Sequence, residues 1–402
     1  MNRILSLSCL GGCLGMFVFG AAVAIAAEPA SLRPDTPSTA VRSHSVTYDA
    51  EMVFTVTAPG KTRKLQVWLP IPPTGHAQEL LSSKLSTFPE SVTPQFATEP
   101  VFGNRFAYFE FDNPQGAQLI RHKFRIKVWE LRWNLDPRQI QQVDRWPDSF
   151  APYQRSEPAA VTADERFGKL LSQIVPARRG PLQDFDSVFD WVEDHLTYDH
   201  AHASLRASSR HALEQRRGHC SDYHSFCAAM GRLLGQPTRV TYGLHAFAKS
   251  SPSHCKLEAY FAPYGWVSFD VSETQRLIHS LEQKQSQNPQ TAELVAAARA
   301  RLMSGFRDNT WFVQTRGTDY DLAPKASSRV PVVRTIHVEA DGKPLPEPDP
   351  SDPHETTFSW MTSQRFTPDH PVSYPFADPN SLREWISDRA DNTENADKGA
   401  TK

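Results

Sequence analysis

The chain has 402 residues, 39% of them hydrophobic and 22% charged, which is enough apolar material for more than one packed core. Lysine and arginine (43) nearly balance aspartate and glutamate (45), so nothing in the net charge argues for nucleic acid or an acidic polymer as partner, and no nucleic acid is expected. Cys9 and Cys13 fall in the first 26 residues, while Cys220, Cys227 and Cys255 form an odd, clustered set, unlike a disulfide framework, and this leaves at least one thiol free for chemistry.

After Met1-Asn2-Arg3 the chain runs from Ile4 to Ala26 without a charge and closes on Ala24-Ile25-Ala26, which predicts a secretory signal peptide over 1–26. No later segment is continuously apolar enough to cross a bilayer. The mature chain is therefore expected to have no membrane span and to work in the periplasm or outside the cell.

From about Ser43 to Leu135 the pattern has period two. Leu65, Val67 and Leu69 alternate with Gln66 and Trp68, and Phe124, Ile126 and Val128 alternate with Lys123, Arg125 and Lys127. Half-buried antiparallel strands require this alternation, and it predicts a β-sandwich domain over 40–150. Past Pro152 the period becomes helical. Thr162 and Glu165 read as a capping box before Phe167, Leu170, Leu171 and Ile174, and a second helix starts near Pro181 with Phe185, Val188, Phe189 and Val192 on one face.

Gly218-His219-Cys220 then opens a third helix, whose Phe226, Met230, Leu233 and Leu234 mark a buried face before the Gly235-Gln236-Pro237 stop. Strands are expected over 239–244, 255–261 and 266–271, with a turn at Tyr264-Gly265. A polar, Ala- and Gln-rich stretch near 275–306 reads as a helical insertion before strands at 311–315 and 330–339. The segment 341–402 is rich in Pro, Asp and small polar residues and reads as a partly disordered tail. The expected fold class is α+β: a β-sandwich, then a core over 158–340 in which the helix bearing Cys220 packs on an antiparallel sheet.

Cys220 stands at a helix start, where the positive end of the helix dipole favours a thiolate and an exposed N–H could serve an oxyanion. A thiol nucleophile needs an imidazole within hydrogen-bond reach and an acceptor to fix that imidazole's tautomer. His254 begins one later strand and Asp270 ends the next. A symmetric tight hairpin about Tyr264-Gly265 would not set the two opposite each other, so a bulge or wider turn is expected. Cys255 alternates to the other face from His254 and reads as a small buried hydrophobe, Cys227 as core, Asp222 as a first-turn carboxylate, Glu258 as a partner of Arg239, and Trp266 as packing beside the histidine. His219, His224, His245 and His254 lack the tight paired spacing of a structural zinc site, so no metal and no cofactor are expected.

Gly218-x-Cys220-x-Asp222, Gly235-x-Pro237-x-Arg239, Gly243, His254-x-x-x-Glu258 and Gly265-Trp266-x-x-x-Asp270, in that order, resemble the core of the transglutaminase-like superfamily, a papain-like thiol fold. With the β-rich front and Gly317-Thr318-Asp319-Tyr320 downstream, the chain is similar to exported bacterial members. The resemblance implies Cys220 as nucleophile, His254 as base and Asp270 as the acid that orients it. It further implies acyl transfer at amide bonds of a protein or peptide through a thioester, with hydrolysis favoured over cross-linking. An inactive core kept as a peptide-binding module is the alternative. The chain departs from the family pattern at Lys256, where an aromatic residue usually stands two positions after the histidine.

Overall fold

The computed structural model describes residues 32–249, 252–285, 289–349 and 359–388; the segment 1–26 expected to be a signal peptide lies outside them. Six strands come first: β1 (Val41–Thr57), β2 (Lys64–Pro70), β3 (Gln78–Phe88), β4 (Gln95–Thr98), β5 (Arg105–Asp112) and β6 (Ala117–Arg132). Helices α1 (Glu165–Ile174) and α2 (Pro181–His195), the short β7 (Thr197–Tyr198), α3 (Ser209–Gln215), β8 (Arg217–Gly218) and α4 (Cys220–Leu233) follow. Then come β9 (Thr238–His245), β10 (Ser253–Phe261), β11 (Gly265–Phe269), α5 (Val271–Gln285), α6 (Pro289–Met303), β12 (Phe306–Arg307), β13 (Trp311–Arg316), β14 (His337–Ala340), β15 (Lys343–Pro344) and β16 (Trp360–Pro368).

The period-two stretches form a sandwich. One sheet runs β12-β6-β1-β16 with β3 also on β6, and the other runs β15-β14-β2-β5-β4. Their inner faces meet through Val46, Tyr48, Met52 and Phe54 of β1, Leu65, Val67 and Leu69 of β2, and Phe109 and Phe111 of β5. Trp68 points to the other face of its sheet, yet it is buried there with Phe106, Tyr320 and Val330. Helixless chain downstream thus covers the outer side of β2.

Strand pairing crosses the expected domain boundaries. β14 and β15 complete the sandwich sheet by pairing with β2 and with each other, and β12 pairs with the end of β6. β16, inside the segment read as a tail, pairs with β1 from Val56↔Trp360 to Tyr48↔Pro368. Its polar composition misled because it is an edge strand: outward residues such as Met361, Ser363, Arg365 and Thr367 need no partner sheet. A last helix over 380–388 places Leu382 and Trp385 against α5 and α6.

The second core is a four-stranded antiparallel sheet, β11-β10-β9-β13, with α4 laid across it. Phe226, Cys227 and Met230 of α4 pack with Val240, Tyr242, Leu257 and Ala259 of the sheet. At the start of α1 the cap is Asp164, which accepts the Arg166 N–H, in place of the expected Thr162. Thr162 is drawn away by tertiary bonds, its N–H to Ser209 Oγ and its hydroxyl to the Glu157 carbonyl.

Candidate active site

Cys220 is the first residue of α4, so its backbone N–H is among those with no intrahelical partner. Gly218 makes the entry possible: a Cβ there would meet the Asp222 carboxylate at 2.6 Å. That carboxylate, wholly buried, accepts the N–H of His219 (3.3 Å), Ser204 (3.1 Å) and Ser208 (3.1 Å) as well as the Ser204 hydroxyl. Asp222 therefore staples the 204–208 loop to the helix start, a structural task that agrees with its reading as a first-turn carboxylate.

β10 runs beside α4 and carries His254 at its entry. β10 and β11 pair without a bulge from Leu257↔Phe269 to Phe261↔Gly265, around the three-residue loop 262–264. Extending that register sets Asp270 opposite Lys256, with His254 the diagonal neighbour on the same face. The ring spans the diagonal: His254 Nε2–H donates to Asp270 Oδ2 at 2.8 Å. Of the bulge or wider turn expected from the sequence, the three-residue loop is the wider turn, and the reach of the ring supplies the two-residue offset that is left. The other oxygen, Oδ1, accepts the Glu273 N–H at 3.2 Å, so Asp270 also caps α5.

With Nε2 committed to Asp270, Nδ1 is the ring nitrogen left for the sulfur of Cys220. Burial works against the charged imidazole, but Asp270 and the Cys220 sulfur outweigh it and raise His254 to about 9. The Cys220 thiol is driven well below the ordinary cysteine range, first by the Cys255 side chain, then, against burial, by His254. His254 and Cys220 are 2% and 6% exposed, so these charges act on one another with little screening. Asp270 stays far below the usual carboxylate range despite burial, through His254 and Lys256.

Two contributors escaped the sequence reading. Cys255 does face away from His254, but α4 lies on that face. Val271 N–H donates to His224 Nε2 (3.1 Å), which leaves Nδ1–H to point at Cys255 Sγ (3.4 Å), and burial holds His224 at about 4, neutral. Burial and the neighbouring Cys220 sulfur push the Cys255 thiol well up, so it acts as a donor to that sulfur. Lys256 is the second. Its ammonium, with no exposure, sits 2.5 Å from Asp270 Oδ2 and 2.8 Å from Asp308 Oδ2.

The tryptophan beside the histidine is Trp311 of β13, whose indole N–H donates to the His254 carbonyl (3.3 Å). Trp266 lies at the far end of the hairpin, under the Arg239 guanidinium at 4.0 Å, because its register partner is Tyr260. Arg239 pairs with Glu258 at 2.6 Å, as read. At Gly243, the register partner of His254, a Cβ would strike the Phe312 carbonyl at 1.9 Å. Cys227 is buried, and burial alone pushes its thiol far up, as expected of a core residue. His245 stacks on His254 with ring centroids 4.8 Å apart, and the Lys249 ammonium lies 3.3 Å from His245 Nε2 and 3.4 Å from Glu273.

Residues 169–271 match the family model of the transglutaminase-like superfamily. An uncharacterized protein of Haemophilus influenzae is 20% identical over 358 residues, 76% of this chain and 89% of that relative. A crystal structure from Cytophaga hutchinsonii, named as that of a "Putative Cysteine Protease", aligns with a TM-score of 0.55 at 14% identity over 85% of this chain and 98% of its own. At that identity the likeness is one of fold.

Proposed function

We propose that this chain, whose core belongs to the transglutaminase-like superfamily, catalyses thiol-dependent acyl transfer at amide bonds of a protein or peptide. In this reading Cys220 attacks the carbonyl carbon, the imidazolium of His254 gives its proton to the leaving amine, and a thioester remains on Cys220. His254 then takes a proton from the acceptor as the acceptor attacks the thioester and the sulfur leaves as thiolate, which restores the thiolate–imidazolium pair. Asp270 holds the ring in the tautomer that turns Nδ1 to the sulfur. The observation that carries the reading is the 2.8 Å bond from His254 Nε2 to Asp270, made at the end of the sheet where α4 begins with Cys220.

Hydrolysis is favoured over cross-linking, because Cys220 is only 6% exposed and water is the acceptor that a closely covered sulfur admits most readily. Export to the periplasm or beyond is part of the proposal, supported by the uncharged run from Ile4 to Ala26. Among the described residues no helix is long and apolar enough to cross a membrane.

The test incubates the purified protein and C220S with casein and a fluorescent alkylamine, following both new amino groups and incorporated dye. New amino groups with wild type alone support hydrolysis, and dye in casein would move the activity to transamidation. No turnover, with Cys220 alkylated by iodoacetamide as an ordinary cysteine is, would leave the peptide-binding module as the function.

A further inference from the structure

Lys256 is the position at which the chain leaves its family's pattern, and it is also the most deeply placed charge near the site. Lys256, Asp270 and Asp308 are 0%, 1% and 0% exposed. Two carboxylates and one ammonium share this interior, so one negative charge remains when the imidazole is neutral. Burying such groups is tolerable only when every donor and acceptor is engaged. Here the carboxylate oxygens are engaged, and the ammonium makes two hydrogen bonds and has the Trp311 and Phe376 rings beside it at 5.2 and 5.1 Å: Asp308 Oδ1 accepts the Thr310 N–H (3.1 Å) and hydroxyl, and its Oδ2 takes Lys256 (2.8 Å). Asp270 Oδ2 receives both Lys256 Nζ (2.5 Å) and His254 Nε2 (2.8 Å). The ammonium and the imidazole thus compete for the charge on one oxygen.

We propose that Lys256 is a positioning residue for the reaction, with Asp308 as its counter-charge: it pins Asp270 Oδ2 in line with His254 and limits how strongly that carboxylate holds the imidazolium. The inference rests on the reading of His254 as the base of Cys220. Without the ammonium, Asp270 would act on His254 with its whole charge and hold the proton too tightly for delivery to a leaving amine. Without Asp308, the ammonium would draw Asp270 to itself and the imidazolium would form less readily.

The other groups facing His254 are Cys220 and His224 from α4, His245 and Lys249 from β9 and the loop after it, Glu273 from α5, and Tyr374, whose ring meets His245 edge-on at 5.2 Å. Burial holds His224 and His245 neutral, and Glu273 is shared between Lys249 at 3.4 Å and Arg276 at 2.7 Å. Lys256 and Asp308 are left as the charges whose removal reaches His254 through Asp270.

The test is the pH dependence of Cys220 alkylation by iodoacetamide, read by mass spectrometry in the full chain. Wild type should show two inflections, thiolate formation at low pH and imidazolium deprotonation at high pH. In K256M both should move upward, the second by about one pH unit or more. In D308N both should move downward. The double variant K256M/D308N removes one charge of each sign, so it should fold where K256M alone fails, with its inflections between those of the single variants.

Opposite shifts are what a charge effect requires and what lost packing cannot produce. Inflections that stay in place, or that move in the same direction in both single variants, overturn the role given to Lys256. If K256M does not fold, D308N and the double variant decide: an unmoved second inflection in both overturns it equally. A wild-type Cys220 that titrates as an ordinary thiol would instead remove the triad reading, which keeps the two failures distinct.

Discussion

His254 and Asp270 are diagonal neighbours across β10 and β11, two residues off direct register, and a 2.8 Å hydrogen bond closes the offset. The bond uses Oδ2 alone, and Oδ1 is left to cap α5 through the Glu273 N–H. D270N should separate these two tasks. An amide oxygen can still cap the helix, but no negative charge remains to hold the imidazolium. We expect turnover to fall by about 10²–10⁴-fold, with the helix content seen by circular dichroism largely kept. Retained turnover in a folded D270N protein would remove Asp270 from the mechanism.

Cys255 should matter through its sulfur and not through its bulk. The relay from Val271 N–H through His224 to Cys255 fixes the Cys255 side chain against Cys220. C255A should therefore raise the pH at which Cys220 becomes alkylated, since the largest influence lowering that thiol is removed. C227A, by contrast, should cost about 1 kcal/mol of stability by leaving a small cavity in the core, and its alkylation profile should match wild type. Unchanged profiles in both variants would show that Cys255 does not act on the nucleophile.

The parts of this site legible in the sequence are those fixed by local rules. A glycine before a helix start, an apolar face at helical spacing and a strand histidine with an aspartate one hairpin on are short-range patterns, and they pointed to Cys220, His254 and Asp270, the last two of which a hydrogen bond joins. Alternation also gave the right face for Cys255. It could not say that α4 covers that face, because helix-on-sheet packing is long-range. Lys256 stood out only as a departure from the family pattern, since its partner Asp308 is 52 residues away, in the link that leads into β13, and arrives when β13 pairs with β9. β16 was hidden for the same reason: it is an edge strand whose partner, β1, lies some three hundred residues earlier.

Stability should fall on both sides of neutrality, for opposite reasons. Burial depresses His122 and His224 to about 4, so each contributes stability that is complete above the unfolded value near 6.5 and is lost as pH falls through 4. His254 is raised to about 9, so its contribution is complete below about 6.5 and is lost as pH rises through 9. A shift of that size for buried His224 corresponds to about 3 kcal/mol. Urea unfolding followed from pH 4.5 to 9.5 should give a maximum near pH 6.5–7. The acid side should begin above the carboxylate range and become shallower in H122L, which removes a ring bonded to Ser83 Oγ at 2.9 Å. A stability that stays level down to pH 5 would contradict the buried neutral state of both histidines.

Arg239 and Glu258 test whether the sheet below the site is held by a pair or by two separate residues. They are direct register partners on β9 and β10, 2.6 Å apart, with side chains 13% and 9% exposed, and the guanidinium lies 4.0 Å above the Trp266 ring. Removing one partner leaves a largely buried charge unmatched, so E258A should cost about 3–5 kcal/mol. The double variant R239M/E258L should recover part of that loss, because two apolar side chains of similar volume need no partner, while Arg307 and Arg316 still lose the charge of Glu258. Both folded variants should keep the wild-type alkylation profile of Cys220, since the pair sits four residues along β10 from His254. A double variant as unstable as the sum of the single losses would show that each residue is anchored elsewhere, Arg239 through Trp266 above all. A shifted alkylation profile would mean that the pair's charges reach the triad, and Lys256 and Asp308 would then not be the nearest charges that tune it.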